Sequence, residues 1–307
     1  MTNLKALVFG STGQVGWELC RHLAGAVQIA ALEYPAVDFR SPDSIREAVR
    51  EARPTLIVNA AAYTAVDKAE SEPELALAIN ATAPGVLAEE ARRLGCILVH
   101  YSTDYVYDGT KQGPYLESDA PNPLNVYGRT KLAGDEAIQA VGGDYLILRT
   151  SWVYGARGNN LLLTMLRLAK ERAELRIVDD QTGAPTSSES IAQATAEILS
   201  QVLPPAGVGL AGRSGIYNLT CAGETTWFGF AKAILERPDG VTGTAAPKLI
   251  PIKTSEFPRP ANRPANSRLS CRRVEETFGV RMPHWEEALA RVLETLGDAG
   301  ATASGKE

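Results

Sequence analysis

Cysteine, histidine and methionine are scarce in this chain of 307 residues: four, three and three. Cys20, Cys96, Cys221 and Cys271 stand far apart with no Cys-x-x-Cys pair, and His22, His100 and His284 show no metal-ligand spacing. The pattern speaks against a disulfide scaffold or a zinc module, and leaves the thiols as small apolar groups of a reducing compartment. His100 closes an apolar run and reads as a satisfied, half-buried residue. No apolar run approaches the roughly 20 residues that span a bilayer. The N-terminus has no basic stretch leading into a signal-type apolar core. Positive charge is not in excess either. The net charge of −5 argues against nucleic acid or an anionic membrane as partner, while an anionic small ligand needs only a local cluster of donors. No internal repeat is present. What remains is a cytoplasmic globular protein, with 45% hydrophobic and 22% charged residues, long enough for one large α/β domain or two smaller ones sharing a core.

Several apolar runs read as buried parallel strands, each followed by a helical stretch. Leu4 to Phe9 is the first, and Gly10-Ser11-Thr12-Gly13-Gln14-Val15-Gly16 follows it. Glycines at this spacing permit a tight turn, a close approach of backbone to a pyrophosphate, and close packing of helix on strand. The helix from Trp17 to Leu23 then turns its N-terminus toward the phosphates. Val27 to Leu32 is the second strand, ending at Glu33. An acid there bonds an adenosine ribose and disfavours a 2′-phosphate, or is a solvated loop acid. Ser41 caps a helix with Pro42 at its first position, running to about Ala52. Thr55 to Asn59 is a strand that runs into Ala60-Ala61-Ala62-Tyr63-Thr64, small residues past a strand end that let a ligand lie close. A helix from about Pro84 stops at Gly95. The strand Ile97 to Tyr101 leads to Ser102-Thr103-Asp104, either turn formers or a hydroxyl and a carboxylate at a substrate site.

Asn125-Val126-Tyr127-Gly128-Arg129-Thr130-Lys131 then sets a phenol and an ammonium four apart at the start of a helix. At that spacing they share a face, and an opposite charge nearby lowers a pKa by about 1–3 units, giving a proton donor near neutral pH. A surface helix that happens to bear Tyr and Lys is the plainer alternative. Tyr145 to Arg149 is the next strand, with Trp152 beyond it, packing on a ring or within the core. After Gly158 the alternation loosens: helices at Leu161–Lys170, Ser190–Val202, Trp227–Leu235 and Trp285–Leu296, strands at Leu175–Val178 and Ile216–Leu219, and a flexible insertion at Gly207–Gly215. Arg259, Arg263 and Arg268 lie in a Pro-rich stretch that either binds a diphosphate by paired hydrogen bonds or is a solvated loop.

The glycine loop, Thr103 and the Tyr127/Lys131 pair, in this order, resemble the short-chain dehydrogenase/reductase superfamily, in its extended branch acting on nucleotide sugars. Longer motifs from residue 4 to about 296 resemble the dTDP-4-dehydrorhamnose reductase family: Val-Asn-Ala-Ala-Ala-Tyr-Thr-Ala-Val-Asp-Lys-Ala-Glu, Tyr-Ser-Thr-Asp-Tyr-Val-Tyr, Asn-Val-Tyr-Gly-Arg-Thr-Lys, Arg-Thr-Ser-Trp-Val-Tyr, Asp-Asp-Gln-x-Gly-Ala-Pro-Thr and Arg-Pro-Ala-Asn-Ser-Arg-Leu. The resemblance implies reduction of a 4-keto nucleotide sugar by NADH or NADPH in a homodimer. It implies that Gly10, Gly13, Gln14, Val15 and Gly16 hold the pyrophosphate, Asp38 and Phe39 flank the adenine, and Ala62, Tyr63 and Thr64 line the nicotinamide half. Thr103 and Asp104 would contact the sugar, Tyr127 act as acid, Lys131 bind the nicotinamide ribose, and Trp152 cover the sugar. Some members bind Mg²⁺ through glutamates at a dimer interface. Glu18 and Glu189 match two such positions, whereas Thr295 falls in register with the third. An NAD-recycling epimerase or dehydratase of the same branch, or a non-catalytic regulatory subunit, are the alternatives.

The fold implied is α/β, a Rossmann-type doubly wound parallel sheet with a smaller C-terminal substrate-binding domain. Residues 1–151, with returning segments near 170–182 and 214–236, form the dinucleotide-binding part. Segments 152–169, 183–213 and 237–298 form the substrate part, and 299–307 read as a disordered tail.

Overall fold

The structure, a computed structural model, describes residues 4–204, 207, 209–236 and 247–304. The first half alternates strand and helix: β1 (Lys5–Phe9), α1 (Gln14–Leu23), β2 (Gln28–Leu32), α2 (Pro42–Ala52), β3 (Leu56–Asn59), the short α3 (Val66–Ala69) and α4 (Pro73–Leu77), α5 (Ala83–Leu94), β4 (Ile97–Thr103), α6 (Val126–Val141) and β5 (Tyr145–Thr150). The second half has β6 (Val153–Tyr154), α7 (Leu161–Glu171), β7 (Glu174–Val178), β8 (Thr182–Gly183), β9 (Thr186–Ser187), α8 (Ser188–Val202), β10 (Gly215–Asn218), β11 (Thr225–Thr226), α9 (Trp227–Leu235), β12 (Lys248–Ile252), α10 (Arg272–Phe278) and α11 (Trp285–Ser304).

Local chemistry sets the helix ends. The Ser41 hydroxyl accepts from Ser44 N at 3.3 Å, with Pro42 at the first position. Gly95 ends α5 at φ +65°, where a side chain would be strained. Asn125 caps α6 by accepting from Gly128 N at 2.7 Å, an interaction whose loss costs about 1 kcal/mol. The last helix reaches Ser304, so residues 299–304, expected as a disordered tail, continue α11. Residues 305–307 lie outside the described residues, as does residue 208 of the expected flexible insertion. Leu210 N in that insertion is held by the Asp144 carboxylate at 3.2 Å.

Six strands form one parallel sheet in the order β10-β5-β4-β3-β1-β2. All four residues of β3 and all seven of β4 are buried, as strands covered on both faces must be. One face packs on α1, α8 and α10, through residues such as Leu19, Ile198 and Phe278. The other packs on α2, α5 and α6 through residues such as Ile45, Leu87 and Ile138. The chain leaves β1 toward β2 on one side and returns to β3 on the other, so a crevice opens at the carboxyl ends of β1 and β3.

A second core joins α7, α9, β7 and α11, with Phe230 between Tyr154 and Trp285. Three segments depart from the expected division. β7 does not return to the main sheet; it pairs with β12, and its alternating burial is that of a strand covered on one face. Helix α8 packs on α1 against the main sheet, because Ile191 and Ile198 complete that core. Helix α9 belongs to the second core through Phe230 and Ile234.

Candidate active site

The glycine loop sits at the carboxyl end of β1 with no room for side chains. A Cβ on Gly10 (φ +77°) would fall 2.5 Å from Ala61 N, and one on Gly16 would fall 2.0 Å from Gly10 O. Gly13 caps α1 with no side-chain hydrogen bond, so the first amides of this helix, from Gln14 and Val15 onward, have no side chain bonded to them at the cap. Bare backbone at a helix N-terminus facing a crevice fits a pyrophosphate. Glu33 differs from the expected free ribose acid. Its Oε1 accepts from Ser11 Oγ and Thr12 N, both at 2.8 Å, bracing the loop. Asp38 is clamped by Arg40 at 2.6–3.0 Å, which holds its carboxyl down at about 2. Phe39 sets its ring edge-on to Phe9 at 5.3 Å. Arg40, with 57% of its side chain exposed, was not singled out from sequence, although an arginine just past β2 is a recognisable signal for a 2′-phosphate.

Beyond β3, Ala62, Tyr63 and Thr64 form a loop pinned by Asn80. Its Oδ1 accepts from Tyr63 N at 2.8 Å, and its Nδ2 donates to Tyr63 O at 3.1 Å and Thr130 Oγ1 at 3.2 Å. Sequence reasoning missed Asn80, since nothing local marks it. Gly134 docks α6 against it, a Cβ there falling 2.1 Å from Asn80 O.

Thr103 ends β4. Its hydroxyl donates to Asp104 Oδ1 at 3.1 Å and accepts from Tyr105 N at 3.2 Å. Asp104 is buried, and its Oδ2 has no partner. Burial pushes this carboxyl up to about 6, against the lowering effect of Ser267 and Thr103. Gly128 lets α6 approach this turn, since a Cβ there would fall 2.2 Å from Tyr105 O. Tyr127 is thereby seated edge-on to Tyr105 at 5.5 Å.

The Tyr127/Lys131 pair requires a correction. Burial pushes the Tyr127 phenol upward. The Thr103 hydroxyl pulls it back, and the Asp104 and Asp135 carboxylates add to the rise. The Lys131 side chain turns its nitrogen inward, donating to Tyr101 O at 2.6 Å and meeting His100 Nε2 at 3.1 Å. Burial lowers Lys131 to about 8, partly opposed by Asp135. His100 is fully buried, not half-buried, and bonds Asn59 Nδ2 at 3.0 Å. Below them, Asp135 Oδ2 accepts from Ser102 at 2.9 Å and pairs with Arg149 at 3.1 Å.

Trp152 is neither core nor free. It sits in the left-handed region at φ 48°, half-buried, and stacks on Trp227 with ring centroids 3.6 Å apart. Trp227 donates to Gln181 Oε1 at 3.1 Å. Backbone in that region concentrates at functional positions. The three arginines do not form one cluster. Arg263 grips Asp67 through two hydrogen bonds of 3.0 Å, Arg259 reaches the same carboxylate at 3.7 Å, and Arg268 pairs with Glu224 at 2.9 Å.

Glu18 and Glu189 line one cavity of about 240 Å³ together with Arg21 and Thr295. Both of these neighbours have a partner within the chain. Arg21 already holds Glu18 at 2.9 Å, and the Thr295 hydroxyl donates to Arg291 O at 3.0 Å. Among the described residues no three His, Cys, Asp or Glu side chains come together as a metal set. No helix among them is long and apolar enough to cross a membrane.

The family model described as RmlD substrate binding domain matches residues 4–297. A dTDP-4-dehydrorhamnose reductase of Burkholderia thailandensis is 48% identical over 296 residues, covering 95% of this chain and 99% of the relative. The protein of that name from Escherichia coli K12 is 46% identical, covering 95% and 98%. The structure of a Bacillus anthracis dTDP-4-dehydrorhamnose reductase in complex with NADP superposes with a TM-score of 0.88 at 32% identity, covering 96% of this chain and all of that one.

Proposed function

This chain belongs to the RmlD substrate binding domain family, and from that premise we propose that it reduces the 4-keto group of dTDP-4-dehydro-L-rhamnose with NAD(P)H, yielding dTDP-L-rhamnose, the last step of dTDP-rhamnose formation. The reading is supported by the side-chain-free Gly10–Gly16 turn at the carboxyl end of β1, by Thr103 at the end of β4 acting on the Tyr127 phenol, and by alignment over 95% of the chain with relatives so named.

When bound, the reduced nicotinamide supplies the hydride. The chain's own residues do the rest. The bare amides at the start of α1 bind the diphosphate, and the Ala62–Thr64 loop supports the nicotinamide half. Trp152, backed by Trp227, covers the sugar. Asp104 binds a sugar hydroxyl. As charge builds on the carbonyl oxygen, Tyr127 donates its proton to that atom and Thr103 turns its own hydroxyl from Asp104 to the same oxygen. Positioned donation of this kind is worth roughly 10²–10⁴ in rate. Lys131 holds the ribose. Arg263 acts at one remove, as a strut from the Pro-rich segment to Asp67 in α3.

The test is oxidation of NADPH and NADH in the presence of dTDP-4-dehydro-L-rhamnose. Stoichiometric oxidation is expected; absence of oxidation with either cofactor would remove the reading, and turnover without net oxidation would favour an epimerase. EDTA is expected to leave the rate unchanged, because Glu18 is already paired with Arg21 and Thr295 stands where a third acid would be needed. A rate that collapses in EDTA and returns with Mg²⁺ would contradict this. NADPH is the better cofactor in this reading, since Glu33 is tied to the glycine loop and Arg40 stands exposed past β2. Arg40→Ala is expected to raise the KM for NADPH roughly tenfold and to leave that for NADH nearly unchanged; equal changes for both would count against it. The working form is proposed to be a cytoplasmic homodimer, to be checked by a sedimentation mass twice the chain's 32.8 kDa.

A further inference from the structure

The buried chain of hydrogen bonds beneath Tyr127 has a fixed direction. A backbone N–H only donates, so Ala61 N, 3.2 Å from Asn59 Oδ1, identifies that atom as the carbonyl oxygen of the side chain. The carboxamide nitrogen therefore faces His100 Nδ1 at 3.0 Å and donates to it. Nδ1 must present its lone pair, which leaves the ring proton on Nε2. Nε2 lies 3.1 Å from Lys131 Nζ. An ammonium there would set two donors face to face in a buried site. A neutral amine accepts the Nε2 proton and still donates to Tyr101 O at 2.6 Å.

From this polarity we propose that His100, held as its Nε2–H form by Asn59, is a positioning residue that keeps Lys131 an uncharged amine in the empty site at mildly alkaline pH, so that Lys131 there gains its charge by taking a proton from solvent when the dinucleotide binds. The inference rests on the reading given under Proposed function. The groups facing Lys131 are consistent with it. Asp135, one turn on along α6, is the nearby carboxylate that favours the ammonium; its Oδ2 is committed to Ser102 and to Arg149 of β5, while its buried Oδ1 has no partner. Asp104 and Tyr127 lie on the side of the phenol. Full burial of both Lys131 and His100 favours the uncharged form of each. A bound dinucleotide brings a diphosphate anion and ribose hydroxyls that accept from an ammonium, both of which favour the charged amine. The proton balance is one proton from solvent to Nζ per site. His100 loses nothing; its Nε2–H turns from donor toward the amine to a group without that acceptor, which loosens Lys131 toward the ribose.

Calorimetric titration of NADPH into the protein at pH 8.5, in two buffers of different ionisation enthalpy, counts protons directly. With Lys131 near 8 in the empty site, the wild type is expected to take up more than half a proton per site. Lys131→Met should bind more weakly and take up none. His100→Gln is the decisive variant, because a carboxamide oxygen can accept from an ammonium. Lys131 then starts charged, and uptake should fall toward zero while NADPH affinity stays within a few-fold. Binding to the wild type with no buffer dependence would overturn the proposal, as would an unchanged proton count in His100→Gln. If His100→Gln does not fold, the wild-type count and the Lys131→Met count still decide. Failure of NADPH to bind at all would instead remove the dinucleotide reading, and this inference with it.

Discussion

Replacing Tyr127 by Phe is expected to lower turnover by roughly 10²–10⁴, with NADPH affinity changed less than about twofold. The substitution removes one atom. The edge-on contact with Tyr105 survives it, as do the Asn125 cap and the Gly128 approach that seat the ring. What disappears is the proton that must reach the developing oxyanion, and Thr103 alone has to serve that atom. The measurements are kcat by NADPH absorbance and Kd by quenching of the nicotinamide signal. Near-normal turnover would remove Tyr127 as the acid. The upward push on the phenol adds a second expectation. Burial makes Tyr127 a weak acid while Lys131 is turned away toward His100 and Tyr101, so its acidity has to be created in the loaded site. A phenol acidified in advance would lose its proton early on the alkaline side. This one should stay protonated there until the ligands are in place.

The parts of the fold that were legible in the sequence are those governed by local chemistry. Buried parallel strands show as apolar runs, and Ser41-Pro42, Gly95 and the glycine loop mark element ends through backbone conformation and capping. The parts that were not legible depend on partners far along the chain. β7 looked like a strand returning to the sheet, but its partner is β12, beyond α8 and α9. Arg263 read as either a diphosphate ligand or part of a solvated loop, and its pairing with Asp67, in the other half of the chain, was not visible. Asn80 and Trp227 contribute to the site only through tertiary contacts with Tyr63 and Trp152. Tyr127 and Lys131 were found by their spacing, which reports a shared helix face but not which way each polar tip turns. That direction is set by His100 and the Tyr101 carbonyl, both buried in β4.

Asp104→Asn should show what the site costs in stability. The wild-type carboxyl titrates at about 6 in the folded chain, against an ordinary 3.8. Burial is the cause, with Oδ2 left without a partner. Its folded pKa is raised, so the folded state holds this proton in a window where the unfolded chain has released it. Stability therefore falls as pH rises from about 4 to about 6 and stays reduced above that. A gap of this size corresponds to about 3 kcal/mol for the ionised group. Asparagine has no charge to bury. Its Oδ1 still accepts from Thr103, although its amide nitrogen inherits the unpartnered position and gives back about 1–3 kcal/mol at every pH. That offset cancels when two pH values are compared. Between pH 4 and 7.5, Asp104→Asn should gain about 2 kcal/mol relative to wild type in urea unfolding. The same variant should bind the sugar less well, because a carboxylate that is costly to bury and short of a partner becomes satisfied when a substrate hydroxyl donates to it. Parallel pH dependences for the two proteins would mean that Asp104 ionises at its ordinary value in the folded chain, and that its burial carries no such cost.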